Sequence, residues 1–189
     1  MRTPFTIAAY CSWGVLLIVW LPGYFLRKRS SRIPNLALQI PTSSLLVLAF
    51  VCLFNPRILA PEVQLTPQNA VLGWAGIAID FVGVAFAIWA RVVLGGNWSG
   101  LVMEIKEHHE LVQSGPYAVV RHPIYTGLLL AIIGTALTLG TLAAYVAVAL
   151  ALAVFLIRVQ VEEGLMQERF GECHDVYRER TKKLIPFVW

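Results

Sequence analysis

The stretch from Ile124 to Ile157, IYTGLLLAIIGTALTLGTLAAYVAVALALAVFLI, holds 34 residues and not one charge. A single straight helix of that length would reach about 50 Å, well beyond a hydrocarbon core of about 30 Å. The segment is therefore predicted to fold back as a hairpin of two membrane spans, turning near Leu139-Gly140-Thr141. The rest of the chain reads in the same way. Pro4 to Leu26 is an apolar run that ends in Arg27-Lys28-Arg29, with Arg32 just beyond. A cleaved signal peptide carries its positive charge before the apolar stretch, so this run is expected to be a retained first span. Leu36 to Phe54 makes a second, with Pro41 near its start, and Ala70 to Leu94 a third, interrupted only by Asp80. Residues 55–69 hold three prolines and read as a loop.

Composition agrees. Of the 189 residues, 58% are hydrophobic and 14% charged, and the mean hydropathy is +0.69. A soluble domain of this length needs more charge to cover its surface. Cys11, Cys52 and Cys173 are scattered, without a CxxC or a His at ligand spacing, so neither a metal site nor a disulfide framework is expected. The net charge of +4 is unevenly placed. Loop 27–35, segment 95–123, the tail from Arg158 and Arg91 carry 13 of the 15 Lys and Arg, and only Arg2 and Arg57 fall on the other side. By the positive-inside rule this orients five spans with the N-terminus out and the C-terminus in. The basic excess is then an orientation signal and an attraction to anionic membrane lipid. Nucleic acid is not expected as a partner, because no basic face is interleaved with stacking aromatics.

The expected fold is thus an all-α integral membrane protein of five transmembrane helices, with a helical hairpin formed by spans 4 and 5. Residues 1–69 would carry spans 1 and 2 and their loop. Residues 70–189 would form a catalytic core of span 3, a polar segment over 95–127, the hairpin and a tail over 158–189. Leu165, Met166 and Phe170 recur at helical spacing among Glu168, Arg169 and Glu172, which predicts a cytoplasmic amphipathic C-terminal helix with His174 and Tyr177 on its polar or interfacial face. Lys182-Lys183 before Leu184-Ile185-Pro186-Phe187 reads as a basic approach to a short segment docking back.

Two polar clusters stand out on the expected cytoplasmic side. The first spans residues 97–127 and includes His109-Glu110-Leu111-Val112, Gly115-Pro116-Tyr117 and Arg121-His122-Pro123-Ile124-Tyr125-Thr126-Gly127. Pro123 suits the first position of a helix, which puts His122 at the N-cap, and Gly127 would admit a ligand or another helix. Tyr, Trp, His and Arg at this depth also serve as interfacial anchors. The second cluster opens the tail, where Arg158 and Glu162 share a helix face and Glu163 follows. Carboxylates beside an apolar span are costly without partners or a ligand, although a solvated ion pair is the simpler account. Asp80 is either a functional group or a bundle-facing carboxylate paired with a neighbour.

Taken together, HELVQSGPY (109–117), VRHPIYTG (120–127), the hairpin, and Arg158…Glu162-Glu163 with FGECHDVYRERTKKLIPF resemble the isoprenylcysteine carboxyl methyltransferase family and its relatives, the phospholipid N-methyltransferases, over roughly residues 90–189. The resemblance implies a membrane enzyme using S-adenosylmethionine without a Gly-rich Rossmann loop, and no GxGxG after a strand occurs here. It implies that His109, Glu110, Leu111, Val112, Tyr117, His122, Pro123, Ile124 and Tyr125 line the cofactor, that Glu162 holds it, and that Arg158 contacts the substrate, with Arg121 and Arg158 the candidate catalytic cations. The upstream Gln of vertebrate members has no counterpart near Val102–Glu104. The acceptor is expected to be a lipid or lipidated carboxylate entering from the bilayer. The alternatives are an amine or phospholipid N-methyltransferase with His122 or Glu163 as base, an NADPH-dependent sterol-type reductase, and a non-enzymatic lipid-binding protein.

Overall fold

A computed structural model describes residues 4–25, 30–32, 36–55, 58–59, 63–98, 105–106 and 110–189. Six helices follow one another: α1 Pro4–Phe25, α2 Leu36–Phe54, α3 Ala70–Leu94, α4 Pro123–Leu139, α5 Leu142–Phe170 and α6 Glu172–Arg180. Two short strands, β1 Ser30–Arg32 and β2 Ile105–Lys106, pair antiparallel, a small departure from the all-helical expectation. The helix starts and stops follow local chemistry. The Asn69 side chain accepts from the Leu72 amide and caps α3, and Thr141 caps α5 in the same manner. Gly140, at φ 68°, closes α4 in the left-handed conformation that favours glycine. The hairpin therefore turns where the sequence places it.

Helices α1, α2, α3 and α5 each contain a stretch long and apolar enough to cross a membrane. Helix α4, bounded by Pro123 and Gly140, has only 17 residues and is the shorter member of the hairpin. Four candidate spans and one short apolar helix thus stand where five spans were expected. The connections sort to opposite ends of the bundle. At one end the 55–69 connection meets the hairpin turn, with the Leu65 amide donating to Gly140 O at 2.8 Å and the Leu142 amide to Val63 O at 3.2 Å. At the other, β1 pairs with β2, and residues 119–122 pair with 182–183.

Helices α3 and α4 meet backbone to backbone. A Cβ added at Gly83 would lie 2.6 Å from Gly127 O, and one at Gly127 would lie 2.6 Å from the Ala87 amide. Gly76 and Gly134 repeat the contact one heptad away. Small residues permit this approach between membrane helices, where packing rather than water exclusion drives association. The close approach allowed at Gly127 is therefore by a helix. Asp80 lies at this junction, fully buried. It accepts hydrogen bonds from Ser12 of α1 and, at 3.0 Å, from Thr135 Oγ1 of α4, which in turn accepts from Trp13 Nε1 at 2.9 Å. It is a bundle-facing carboxylate tying three helices together.

The tail differs from its reading. Helix α5 continues without a break through Arg158, Glu162 and Glu163 to Phe170, and Gly171, at φ 50°, separates it from α6. The residues expected to begin a separate amphipathic helix are the end of α5. His174 and Tyr177 do not face water. His174 is buried with Nδ1 2.9 Å from Gln167 Oε1, and the Tyr177 hydroxyl donates to Tyr117 O at 2.7 Å.

Candidate functional site

The site lies at the end of the bundle where α4 begins and α5 projects past its apolar run. Pro123, at the first position of α4, fixes the helix start and leaves His122 at the N-cap with φ −121°. Arg121 and His122 are held from behind by the tail: the Arg121 amide donates to Lys182 O at 2.8 Å and the His122 amide to Lys183 O at 3.0 Å. Their side chains meet the adjacent carboxylates of α5. Arg121 Nε donates to Glu163 Oε1 at 2.7 Å, and its Nη1 donates to Thr181 O at 2.6 Å. The His122 ring spans both acids, with Nε2 3.0 Å from Glu163 Oε1 and Nδ1 3.3 Å from Glu162 Oε2. Burial works against charge on His122, but hydrogen bonds and charge from Glu162 and Glu163 outweigh it and raise its pKa above 6.5.

One turn into α4, the Tyr125 hydroxyl donates to Glu162. Its ring is sandwiched between Phe155, with centroids 4.8 Å apart and planes at 12°, and His122, 5.9 Å away at 7°. Arg158 lies one turn of α5 before Glu162, with 1% of its surface exposed. Its Nη2 donates to Ser43 Oγ of α2 at 3.0 Å, and its guanidinium also reaches the Tyr125 hydroxyl. The two glutamates are unequal. The Glu162 side chain keeps 27% of its surface accessible and Glu163 only 11%, so Glu162 is the carboxylate that a ligand can reach.

Of the nominated residues, Arg121, His122, Pro123, Tyr125, Arg158 and Glu162 converge, and Ile124 is buried beside them. Tyr117 packs into the core beneath. Burial raises its pKa, and the fields of Tyr177 and Glu162 add to this against the opposing Arg91. Leu111 and Val112 are half-buried, and Glu110 is exposed with its amide 3.4 Å from Asn97 Oδ1. His109 lies outside the described residues. The reading missed two contributions. Glu163, named in the sequence only as a possible base, locks Arg121 and His122 together. Ser43 is contributed by α2, and no local pattern in that apolar helix marks it. Among the described residues, no three His, Cys, Asp or Glu side chains are grouped to hold a metal.

A carboxylate that remains reachable beside a buried guanidinium forms a pair suited to an organic cation next to an anion. That chemistry fits S-adenosylmethionine, which carries a sulfonium and an ammonium. Fold and site together define a multi-helix integral membrane protein with a cluster of interlocked ionisable groups at one end of the bundle. The phospholipid methyltransferase family matches residues 71–173. Protein-S-isoprenylcysteine O-methyltransferase B of Arabidopsis thaliana is 30% identical over 115 residues, 60% of this chain and 58% of that protein. The nickel-cobalt-cadmium resistance protein NccN of Alcaligenes xylosoxydans xylosoxydans is 35% identical over 115 residues, 60% of this chain and 52% of its own. The solved structure of a eukaryotic intramembrane Ras methyltransferase, isoprenylcysteine carboxyl methyltransferase, covers 82% of this chain and 54% of that one, with a TM-score of 0.57 at 26% identity. The chain thus spans little more than half the length of these three proteins. It belongs to the phospholipid methyltransferase family, within the isoprenylcysteine O-methyltransferase group.

Proposed function

We propose that the protein is an S-adenosylmethionine-dependent methyltransferase acting on the carboxylate of an isoprenylcysteine-like or other hydrophobic acceptor. The observation that carries this reading is the placement of Arg158 and Glu162 one turn apart on α5, against His122 and Tyr125 of α4. Bound S-adenosylmethionine supplies an electrophilic methyl group on a cationic sulfur. Glu162, with its accessible oxygens, would offset that positive charge, and the Tyr125 hydroxyl and the His122 ring hold that carboxylate in place. Arg158 would fix the acceptor carboxylate by charge-assisted hydrogen bonds and so orient it for methyl transfer. A carboxylate is already ionised at neutral pH, so methylating it needs no base.

That point favours a carboxylate nucleophile over an amine. An amine acceptor must lose a proton, and His122 is a poor recipient. It lies between two carboxylates at 3.0 and 3.3 Å, whose hydrogen bonds and charge raise its pKa and favour the protonated ring. The near-complete burial of Arg158, facing Ser43 of α2, supports an acceptor arriving between helices from the bilayer. In this reading α1 to α5 all cross, with α4 the thinnest at about 26 Å, and the N-terminus is out. The charge asymmetry of the loops supports placing the site at the cytoplasmic face.

The test is calorimetry with S-adenosylmethionine in detergent, together with radiolabelled methyl transfer to a farnesylcysteine analogue and to total membrane lipid. Sub-millimolar binding is expected, lost in Glu162→Ala. Arg158→Ala is expected to bind the cofactor and fail to turn over. Absence of binding by the unaltered protein overturns the reading, and an active Arg158→Ala removes the substrate role of that residue.

A further inference from the structure

The tail over residues 182–189 presents a combination that the site does not use. Leu184 is buried and pinned, its carbonyl accepting from Thr126 Oγ1 at 2.7 Å. Beyond it the chain turns back on itself. The Leu184 and Ile185 amides donate to Trp189 O at 2.9 and 2.8 Å, and the Val188 and Trp189 amides donate to Ile185 O at 3.1 Å. Inside this turn Phe187 adopts φ 65°, the one non-glycine positive φ among the described residues. A residue with a Cβ adopts that conformation at a cost of roughly 1 kcal/mol or more. Here it leaves the Phe187 ring 90% exposed, with Val188 at 72%. Backbone strain that puts an aromatic side chain into the open points to something that covers it.

The surroundings indicate what that is. Thr126 lies in the first turn of α4, about 5 Å along the helix from Pro123. Its bond to Leu184 therefore sets the tail beside the start of α4, which is headgroup depth if α4 crosses as proposed above. Lys182 and Lys183 adjoin the exposed apolar group, and Lys183 Nζ lies 5.0 Å from the Trp189 ring centroid. With Arg121 and Arg178 they line a cleft of about 530 Å³, whose acidic residues are Asp175 and Glu179. The arginines are engaged: Arg121 bonds Glu163, while Arg178 lies 3.6 Å from Glu163 and 3.7 Å from Asp175. Among the described residues neither lysine forms a salt bridge with a carboxylate. Two lysines, an aromatic pair and aliphatic side chains at headgroup depth match the chemistry of an anionic lipid surface.

We propose that the Lys182–Trp189 turn is a membrane-surface anchor, with Phe187 and Val188 inserted among acyl chains and Lys182 and Lys183 on anionic headgroups. The same segment supplies the carbonyls that hold the Arg121 and His122 amides, so docking the turn on lipid steadies the frame of the site. The proposal rests on α4 crossing the membrane and does not depend on the transferase reading.

The test is amide hydrogen exchange of the full chain in nanodiscs of phosphatidylcholine alone and of phosphatidylcholine with phosphatidylserine. Each lysine near an anionic surface contributes about a fivefold shift, so exchange over 182–189 is expected to slow about tenfold or more in the anionic discs. In Lys182→Gln/Lys183→Gln that difference disappears. Phe187→Gly, which relieves the positive φ and deletes the ring, loses protection in both discs. Unchanged exchange along α3 and α4 shows that each variant is folded. Equal exchange of the tail in the two discs overturns the proposal, as does a lipid dependence that survives the lysine changes. It is equally overturned if inorganic phosphate reproduces the slowing in phosphatidylcholine discs, or if only an added protein protects the tail.

Discussion

Arg121 Nε and Glu163 Oε1 lie 2.7 Å apart, with side chains only 7% and 11% accessible. Removing one partner of such a pair strands the other in a poorly solvated place. Glu163→Gln is expected to destabilise the protein by about 3 kcal/mol, read by denaturation in mild detergent. The paired change Arg121→Met/Glu163→Met should recover part of that loss, because Arg121 is then no longer stranded and His122 keeps Glu162. A Glu163→Gln protein as stable as the parent would show that the pair is solvated.

Tyr125 offers a way to separate its ring stack from its tether to Glu162. Tyr125→Phe keeps the ring stack on Phe155 and His122 and deletes only the hydroxyl that donates to Glu162. A net hydrogen bond to a charged group contributes about 1.5 kcal/mol or more, so S-adenosylmethionine affinity by calorimetry is expected to change about tenfold while the fold is unaffected. An unchanged Kd would mean that the hydroxyl does not set the orientation of Glu162.

His122 gives the site a pH signature. Its pKa in the folded protein lies above 6.5, because the opposition of burial is overcome by the two glutamates. The protonated ring therefore contributes stability that is fully present below the unfolded value and is lost as pH rises through the folded one. Thermal melts across pH 6 to 9, on the order of the ordinary His range and above, should show stability declining towards the alkaline end. His122→Asn should flatten that slope. A slope that persists in the variant would assign the titration elsewhere.

The contact between α3 and α4 tolerates no side chain. In Gly83→Leu the new Cβ meets Gly127 O and the Ala131 amide, both backbone atoms that cannot rotate away. The expected loss is at or above the upper end of the usual overpacking cost of about 1–3 kcal/mol, seen as a lowered Tm in detergent. Gly14→Leu is the control, since nothing lies within 4 Å of a Cβ there. Equal effects from the two changes would refute the seam.

What could be read in advance tracks how local its cause is. The bounds of α2 and α3 and the turn at Leu139-Gly140-Thr141 follow from runs of apolar residues closed by Asn69, Gly140 and Thr141, each acting within a few residues. The end of α5 was misread because charge at Arg158, Glu162 and Glu163 looks like the end of a buried helix. Helix geometry is indifferent to that charge once α4 and α2 supply partners, and only Gly171 breaks it. His174 and Tyr177 were placed outward by periodicity alone, whereas Gln167 and Tyr117 O hold them inside. The Arg-His motif and the acidic pair were both visible as clusters. That they interlock, and that Ser43 joins them, depends on packing between segments 41 to 115 residues apart, which no window on the sequence contains.

Backbones that touch at Gly76, Gly83, Gly127 and Gly134 leave no compressible layer between α3 and α4. Such a junction behaves as a stator: neither helix can slide or roll without backbone atoms colliding. Displacement that admits a bulky molecule to the bundle is then expected where helices meet through side chains, as α2 and α5 do at Ser43 and Arg158. A covalent staple between α3 and α4 should leave turnover intact, and one between α2 and α5 should arrest it.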